Sequence, residues 1–575
     1  MISNGRILGM LAELARLTTL DEGSQQSFKV RAYENAIHGI EGYAGDVATL
    51  REKEMVAIKG VGGSIAARIR EFVDTGTVER LEELRGTYPP ALVELLKIPG
   101  LGPKTLKLIR SELNVQNLAD LRAAIESQSL RTVPGLGKTT EEKLAKAIER
   151  LGLHGKDHRT PIADALSLAE GLAVELRALP GVDAATWCGS LRRFAETIGD
   201  IDLVVSSTNS AGVMEAVATH PSAVEVVASG DTKTSILTRE GMQIDVRVVR
   251  IDQYGAALIY FTGSKAHNVA LRQRAIDRGW LLNEYGLFEE DRLIASETED
   301  EIYRALELPW IPPPLRENAG EIKAAANGEL AELITLDDVK GDLHFHSDRS
   351  GDGRSTLEEM VAAAAARGYE YLAITDHGED LAINGSSREQ FRDHRRRIQA
   401  LQDHYPDMRL LYGCELNIGP DGGLDYDPAF RLEFEWCVAS VHSHFDLPGD
   451  QQTSRLLKAM ADPAVNVIGH LTGRYIGRRP GIEIDLEAVL EGMAVSGVAL
   501  EVNGALDRLD ASAEVIRRAT AAGVRLVIST DSHHTSDLKR MAYGVAHSQR
   551  GWAMVGDLAN SLPRSEFLDF ATSRR

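Results

Sequence analysis

Ten of the 16 histidines lie between His344 and His534, and most of them close an apolar, strand-like run. The runs are GDLHFH, YLAITDH, LLYGCELN, WCVASVH, VNVIGH, GVALEVN and RLVISTDSH, and helical patterns such as LEEMVAAAAARG and AEVIRRATAAG separate several of them. This alternation predicts a βα barrel of about seven units over residues 336–575. Strand ends of such a barrel converge on one mouth. His344, His346, Asp352, His377, Glu415, His442, His470, Asp531 and His533 stand at or just beyond those ends. Nitrogen and oxygen donors without a thiolate suit two or three ions such as Mn²⁺ or Zn²⁺. A site of that kind activates a water and clamps a phosphodiester. His394, His404 and His534 read as structural, His444 is open, and Arg474 reads either as a phosphate contact or as a surface arginine.

The middle of the chain, residues 156–310, changes to mixed α/β, with strand-like runs IGDIDLVVSS, AVEVVASG, KTSILTRE and QIDVRVVR. Asp200 and Asp202 are two apart on one run and face the same side of a strand. Carboxylates so placed can share two Mg²⁺ ions, the arrangement that phosphoryl transfer uses. A third carboxylate is expected on a neighbouring strand, and Asp245 is the candidate. Gly189-Ser190 can bring amides close to a triphosphate, and Arg192 or Arg193 can neutralise it. The run PWIPPP (309–314) predicts a boundary with a stiff connector.

Residues 1–155 read as helical and contain three related segments, KGVGGSIAARI, IPGLGPKTLKLI and VPGLGKTTEEKLAKAI. Gly60, Gly100 and Gly135 open the glycine pairs completed by Gly62, Gly102 and Gly137. Glycines permit φ > 0 and leave no Cβ against a ligand. A helix opens after each pair, and its first amides can bind a phosphate without reading bases.

Charge and composition bound the partners. The chain of 575 residues carries −21 overall. Residues 1–155 hold 21 Lys and Arg against 20 Asp and Glu, so the acidic surplus falls in the remainder. A generally adhesive nucleic-acid binder is excluded; backbone amides and local arginines must do any such binding. Three scattered cysteines, Cys188, Cys414 and Cys437, form no disulfide framework and fit a reducing cytoplasm. No signal peptide or membrane span is expected, since Glu13 and Arg16 interrupt LGMLAELARL.

Two resemblances cover nearly the whole chain. Residues 1–315 resemble a family X DNA polymerase of the polymerase β superfamily, through GSLRRFAETIGDIDLVV (189–205), QIDVRVVRIDQY (243–254), YFTGSKAHN (260–268) and LRQRAIDRGWLLNEYGL (271–287). The barrel region resembles the PHP (polymerase and histidinol phosphatase) family. That family's H-x-H-[ST]-x-x-S-D-G run appears here as HFHSDRSGDG, one residue longer, so Asp352 is the counterpart and Asp348 the weaker option. The resemblance implies that Asp200, Asp202 and Asp245 bind metal and that Gly189, Ser190 and Arg193 meet the triphosphate. It implies that Tyr260, Phe261 and Gly263 line the sugar side, with Asn268 by the base and Arg272 by the template. Arg68 stands where the family's lyase domain has a Schiff-base lysine, and a guanidinium cannot act as that amine. Phe194 and Lys265 are further departures.

The expected architecture is therefore multidomain: an N-terminal all-α helix-hairpin-helix region, a central α+β nucleotidyltransferase palm and a C-terminal distorted (β/α)7 PHP barrel. Its expected parts are a helical lyase-like DNA-binding domain (1–83), a helix-hairpin-helix DNA-binding domain (84–155) and the palm (156–255). A nucleotide-binding subdomain (256–315), a linker (316–335) and the PHP domain (336–575) follow. The expected activity is gap-filling DNA synthesis in repair, with Mg²⁺ or Mn²⁺ in the palm, joined to a metal-dependent 3′-5′ exonuclease or 3′-end processing phosphodiesterase. Gapped or 3′-recessed DNA and dNTPs are the expected partners, and the chain is expected to be a cytoplasmic monomer without membrane contact. The alternatives are a barrel that holds metal for stability alone and a phosphatase of small phosphate esters.

Overall fold

A computed structural model describes residues 4–24, 27–41, 43, 47–98, 101–150, 159–239, 241–330, 333–381 and 384–575. The chain forms two compact units that part at Arg159. No helix among the described residues is long and apolar enough to cross a membrane.

The first unit is helical. Its longest helices, Asn4–Glu22 and Phe28–Glu41, pack with Gly63–Thr75, Glu79–Thr87 and Pro103–Leu113 around Leu11, Leu14, Tyr33, Ile65, Leu81 and Leu106. The described hairpin glycines divide their work. Gly60 and Gly135 take positive φ (88° and 85°), whereas Gly62 and Gly102 are extended and cap the helices that follow. Among the described hairpin glycines the expectation of φ > 0 holds only for Gly60 and Gly135. At Gly60 the bare backbone is obligatory, because a Cβ would fall 2.3 Å from the Asn35 carbonyl oxygen. A Cβ at Gly62, Gly102, Gly135 or Gly137 would meet nothing, so those backbones are open to a partner. Gly100 lies outside the described residues. Arg68 is half-buried, with its guanidinium 5.8 Å from the centre of the Tyr33 ring.

The second unit begins with a five-stranded sheet in the order Val182–Trp187, Asp200–Ser207, Gln243–Val249, Lys233–Thr238, Ala223–Ser229. Asp200–Ser207 and Gln243–Val249 run parallel and the other neighbours antiparallel. Helices Tyr254–Thr262 and Lys265–Ile276 follow, then a three-stranded sheet, Trp280–Asn283, Gly286–Glu289 and Arg292–Ala295. This segment packs around Ile259, Leu271, Tyr303 and Leu306. The stretch read from the sequence as a connector and linker joins that core. Pro313, Pro314 and Leu315 are buried, and Arg316 and Glu321 have no exposed surface. The buried charge of Arg316 explains this: its Nη1 donates to Glu299 at 2.7 Å, and Glu299 also takes two bonds from Arg192 at 2.7 and 2.9 Å.

Seven parallel strands in sequence order, from Gly341–Phe345 to Leu526–Ser529, make the barrel. A bridge between Phe345 and Ser532 closes the first strand on the last. Leu343, Tyr371, Leu411, Trp436, Val467, Ala499 and Val527 fill the inside near the strand beginnings. The helix Arg564–Thr572 covers that end, with Phe567 stacked 4.0 Å from Tyr371.

Glu299 generates a stability prediction. Two guanidiniums hold its carboxyl at about 2 against burial, which alone would raise it. A depressed folded value means stability that is complete above the ordinary carboxyl range and lost as pH falls towards 2. Glu299→Ala leaves both guanidiniums buried without it and is expected to cost about 3–5 kcal/mol. All five tryptophans follow Arg159, so the fluorescence midpoint in urea measures this unit; an unchanged midpoint refutes the role.

Candidate active sites

The palm site grows from one pair of parallel strands. Their register sets Asp202 opposite Asp245 and Asp200 opposite Gln243, so three carboxylates occupy neighbouring positions on one sheet. Asp202 is pushed up to about 7, first by burial and then by the charges of Asp200 and Asp245. Asp245 is held below its ordinary range, because hydrogen bonds from Lys233 (2.8 Å) and Gln243 (2.9 Å) outweigh its burial. Gly189 approaches from the adjoining turn with φ 61°, and a Cβ there would lie 2.6 Å from the Asp202 carboxylate. A crowded acidic group with an open front fits divalent cations, which would relieve the repulsion that lifts Asp202.

A cavity of about 530 Å³ opens in front of Asp200 and Asp202. Gly189, Ser190, Arg193, Asp200 and Asp202 line one side; Tyr260, Phe261, Gly263, Lys265, Asn268 and Arg272 line the other. Every residue expected to touch nucleotide is therefore brought to one cleft. The two arginines separate cleanly. Arg192 is committed to Glu299 and the Thr262 hydroxyl, while Arg193 lines the cleft. Asn268 donates to the Tyr260 carbonyl at 2.8 Å, and the Arg272 guanidinium stands 5.1 Å from the Tyr260 ring centre. Both tie the second helix of this segment to the aromatic pair.

In the barrel, strand parity builds the site. Side chains two apart share a face, so Leu411 inside predicts Glu415 inside. Tyr371 and Ala373 likewise lead to His377, Trp436 and Val438 to His442, and Val527 to Asp531. The chain turns out of this alternation at His470 and Asp531, which take positive φ of 25° and 49°. Such sparsely populated backbone is held only where the surroundings fix it.

The nine expected ligands meet at the mouth. Glu415 Oε1 lies 3.0 Å from His470, 3.2 Å from His442 and 3.5 Å from His344. Its Oε2 lies 2.8 Å from His377 and 3.5 Å from His346. Asp531 stands 3.5 Å from His346, and Asp352 reaches His377 at 3.3 Å and His533 at 3.4 Å. Three overlapping groups result: His346, His377 and His533; His344, His346 and Asp531; His377, Glu415 and His442. Asp352 Oδ1 and His470 Nδ1 are buried without a hydrogen bond, while His377 Nδ1 and Glu415 Oε2 face each other at 2.8 Å. Buried polar atoms are ordinarily paired, so the first two fit cation ligation. Burial depresses the His344 imidazole, but Glu501, Glu415 and Asp531 overcome it and hold it well above the usual range. His346, hemmed in by His533 and His377, falls to about 4 through burial first.

Sequence reasoning missed the residues that orient these ligands. Glu501 accepts from His344 Nδ1 at 2.6 Å, and Asn417 meets His442 Nδ1 at 2.7 Å. Such partners fix the ring and its tautomer. Parity was the available signal, since Glu501 shares a face with Ala499. The mouth, about 370 Å³, is also lined by Phe445, Tyr475, Arg479, Arg508 and Arg540. Arg479 stands 3.8 Å from the Phe445 ring centre and Arg508 4.2 Å from that of Tyr475. The histidines read as structural are placed elsewhere: His394 contacts Asp376 at 3.1 Å, His404 is exposed, and His534 pairs with Ser536. His444 is exposed, with φ 55°, and its carbonyl accepts from Gln452. Neither reading of Arg474 holds. It forms a two-pronged pair with Glu196 of the palm at 2.9 and 3.0 Å.

The architecture is a carboxylate-bearing palm with a following cleft, joined to a histidine-rich barrel. Comparisons agree with that class. The chain matches a helix-hairpin-helix domain over 2–78, a SAM-like helix-hairpin-helix tandem over 92–150, the DNA polymerase beta thumb over 257–317 and the PHP domain over 342–519. It is 37% identical over 540 residues to the DNA polymerase/3′-5′ exonuclease PolX of Bacillus subtilis (strain 168), covering 93% of each chain. A probable phosphatase of Vibrio atlanticus (strain LGP32) is 28% identical over 211 residues, 35% of this chain and 81% of that one. A probable phosphatase of Shewanella sediminis (strain HAW-EB3) is 29% identical over 242 residues, 40% of this chain and 94% of that one. The chain belongs to the family X DNA polymerases that carry a PHP domain.

The barrel cluster predicts metal content directly. After dialysis against Mn²⁺, Glu415→Ala is expected to lose most of the metal that elemental analysis finds in the wild type. Equal content in both would refute Glu415 as the centre of the cluster.

Proposed function

We propose that this protein fills short gaps in DNA by nucleotidyl transfer in the palm and trims 3′ ends by phosphodiester hydrolysis in the barrel. The observation that carries the reading is the concurrence, in one chain, of Asp200 and Asp202 lining a nucleotide-sized cleft, with Asp245 beside them on the sheet, and nine clustered ligands behind an arginine-rich mouth. The identity to the Bacillus polymerase over 93% of both chains supports it.

In the palm, Asp200, Asp202 and Asp245 would hold Mg²⁺ or Mn²⁺. Lys233 keeps Asp245 ionised by its contact at 2.8 Å. Ser190 and Arg193 bind the triphosphate of an incoming dNTP, and Gly189 allows it to come close. Tyr260 and Phe261, with ring centres 5.0 Å apart at 65°, form a wall that disfavours a 2′-hydroxyl. Gly263 leaves the cleft floor open, Asn268 faces the base edge and Arg272 the template.

In the barrel, His344, His346, Asp352, His377, Glu415, His442, His470, Asp531 and His533 would hold two or three Mn²⁺ or Zn²⁺ ions. Cations at the two sites supply acidification of the attacking hydroxyl or water and neutralisation of the phosphate charge that develops during reaction. Arg479, Arg508 and Arg540 draw the phosphodiester into the mouth, and Phe445 and Tyr475 offer faces to the terminal base. Gly60, Gly62, Gly100, Gly102, Gly135 and Gly137 bind the DNA backbone without sequence preference, the open backbones at Gly62, Gly102, Gly135 and Gly137 leaving room for it. The chain acts as a cytoplasmic monomer, and its domains follow the boundaries expected above, except that the stretch from Arg316 packs into the core before it.

Primer extension on a 3′-recessed duplex, run with and without dNTPs in Mg²⁺ and in Mn²⁺, tests both halves. Asp200→Ala with Asp202→Ala is expected to abolish extension and leave digestion intact; His344→Ala is expected to do the reverse. Loss of both activities from either variant would mean that the sites are not separate. The similarity to two probable phosphatases favours one rival, a barrel acting on small phosphate esters. Turnover of a small phosphomonoester much faster than of DNA ends would establish it.

The hairpins carry a binding prediction. Gly102→Val places a side chain on the open backbone and is expected to weaken binding to duplex DNA of any sequence by about 1 kcal/mol, the scale of one lost hydrogen bond. A change that depended on sequence would contradict a contact through the DNA backbone alone.

A further inference from the structure

We propose that Arg550 of the barrel is a positioning residue for nucleotide binding in the palm, because it shares the Glu317 carboxylate with Arg193 and so leaves the Arg193 charge available to a triphosphate. The inference rests on the polymerase reading and assigns to the barrel a part in the palm's own reaction.

The geometry is a shared acceptor. Glu317 Oε1 accepts from Arg193 Nε at 3.0 Å and from Arg550 Nη1 at 2.7 Å. The same Arg550 nitrogen also donates to the Arg193 carbonyl at 3.0 Å. Arg193 Nη1 is fixed in turn by the Thr262 carbonyl at 2.6 Å, at the floor of the nucleotide cleft. The three charged side chains are largely buried, with 14, 30 and 22% of Arg193, Glu317 and Arg550 exposed, so solvent screens them only in part.

Charge counting gives the consequence. One carboxylate between two guanidiniums leaves a net positive charge beside the cleft. With Arg550 removed, Arg193 and Glu317 form a neutral pair, and an incoming triphosphate must compete with Glu317 for the Arg193 guanidinium. The neighbouring residues fix the same loop to the same barrel surface. Phe194 stacks on Tyr543 with ring centres 6.1 Å apart, and Glu196 pairs with Arg474. Phe194, a departure from the family pattern, thus serves a barrel contact. Tyr543 and Arg550 lie on one helix, Arg540–Arg550, so the loop that carries Ser190 and Arg193 rests on a barrel element.

The test is single-nucleotide extension by the full chain, with KM for the dNTP and kcat measured separately. Arg550→Gln is expected to raise KM about five- to tenfold, as for the loss of one partly screened charge, with kcat changed less than about twofold. Arg550→Lys keeps the charge and is expected to stay near wild type. The double variant Arg550→Gln with Glu317→Gln removes the competing carboxylate and is expected to recover most of the lost affinity. That recovery is the readout a merely structural contact would not give. An unchanged KM in Arg550→Gln, or a double variant no better than the single one, overturns the inference while wild-type extension leaves the polymerase reading standing. If the wild type itself fails to extend, that reading falls and this inference with it. Should Arg550→Gln fail to fold, judged by loss of 3′ digestion, Glu317→Gln alone decides. It frees Arg193 and is expected to lower KM, and a KM at or above wild type overturns the proposal.

Discussion

A single carboxylate organises the barrel mouth. Glu415 faces five imidazoles within 3.5 Å, drawn from four different stretches of chain. Burying that many titratable groups is costly unless they neutralise one another or a cation does so. Glu415 is held well below the usual carboxylate range although burial pushes the other way, because His442, His344 and His377 surround it. The buried hydrogen bond from His344 to Glu501 and the turn at His470 follow from the same need to aim rings at one point. The barrel is best understood as a scaffold for that convergence, its apolar lower layers providing rigidity for a strongly polar top.

The palm meets the opposite problem, carboxylates crowded with little cation of their own. Lys233 satisfies Asp245, yet Asp202 stays raised. The rest of the cleft compensates with Arg193, Lys265 and Arg272 on its walls. The palm thus presents an acidic floor and a basic rim, a division that suits a polyanion approaching with its own cations. It also shows how the acidic surplus beyond residue 155 coexists with binding an anionic substrate: part of that surplus is spent in two places where carboxylates are the working groups.

Much of this was legible in the sequence because parity and strand ends are legible. His377, Glu415 and His442 close apolar runs, and each run proved to be a barrel strand or its immediate continuation. Asp200 and Asp202 showed their spacing, while the parallel register that brings Asp245 beside them is a tertiary fact. The strand Val182–Trp187 was not recognised, since its run VDAATW lacks a clear alternation and only Ala185 in it is buried. The prolines of 309–314 read as a connector, but the composition of that stretch could not reveal that Arg316 would be drawn inward by Glu299. Arg474 was misread for the same reason. Its partner lies 278 residues away, and no local pattern encodes a pairing over that distance.

The helix Arg564–Thr572, which seals the barrel below Tyr371 and Trp436, has a consequence for biosynthesis. Chains fold domain by domain as they emerge from the ribosome. The palm sheet is complete once residue 249 has emerged, whereas the barrel interior lacks its floor until Phe567 follows more than 300 residues later. During that interval the surface on which Arg193 and Phe194 rest is still being made. The palm cleft is therefore completed by residues translated long after its own sheet, because Arg550 and Tyr543 of the barrel hold the segment that carries Arg193 and Phe194.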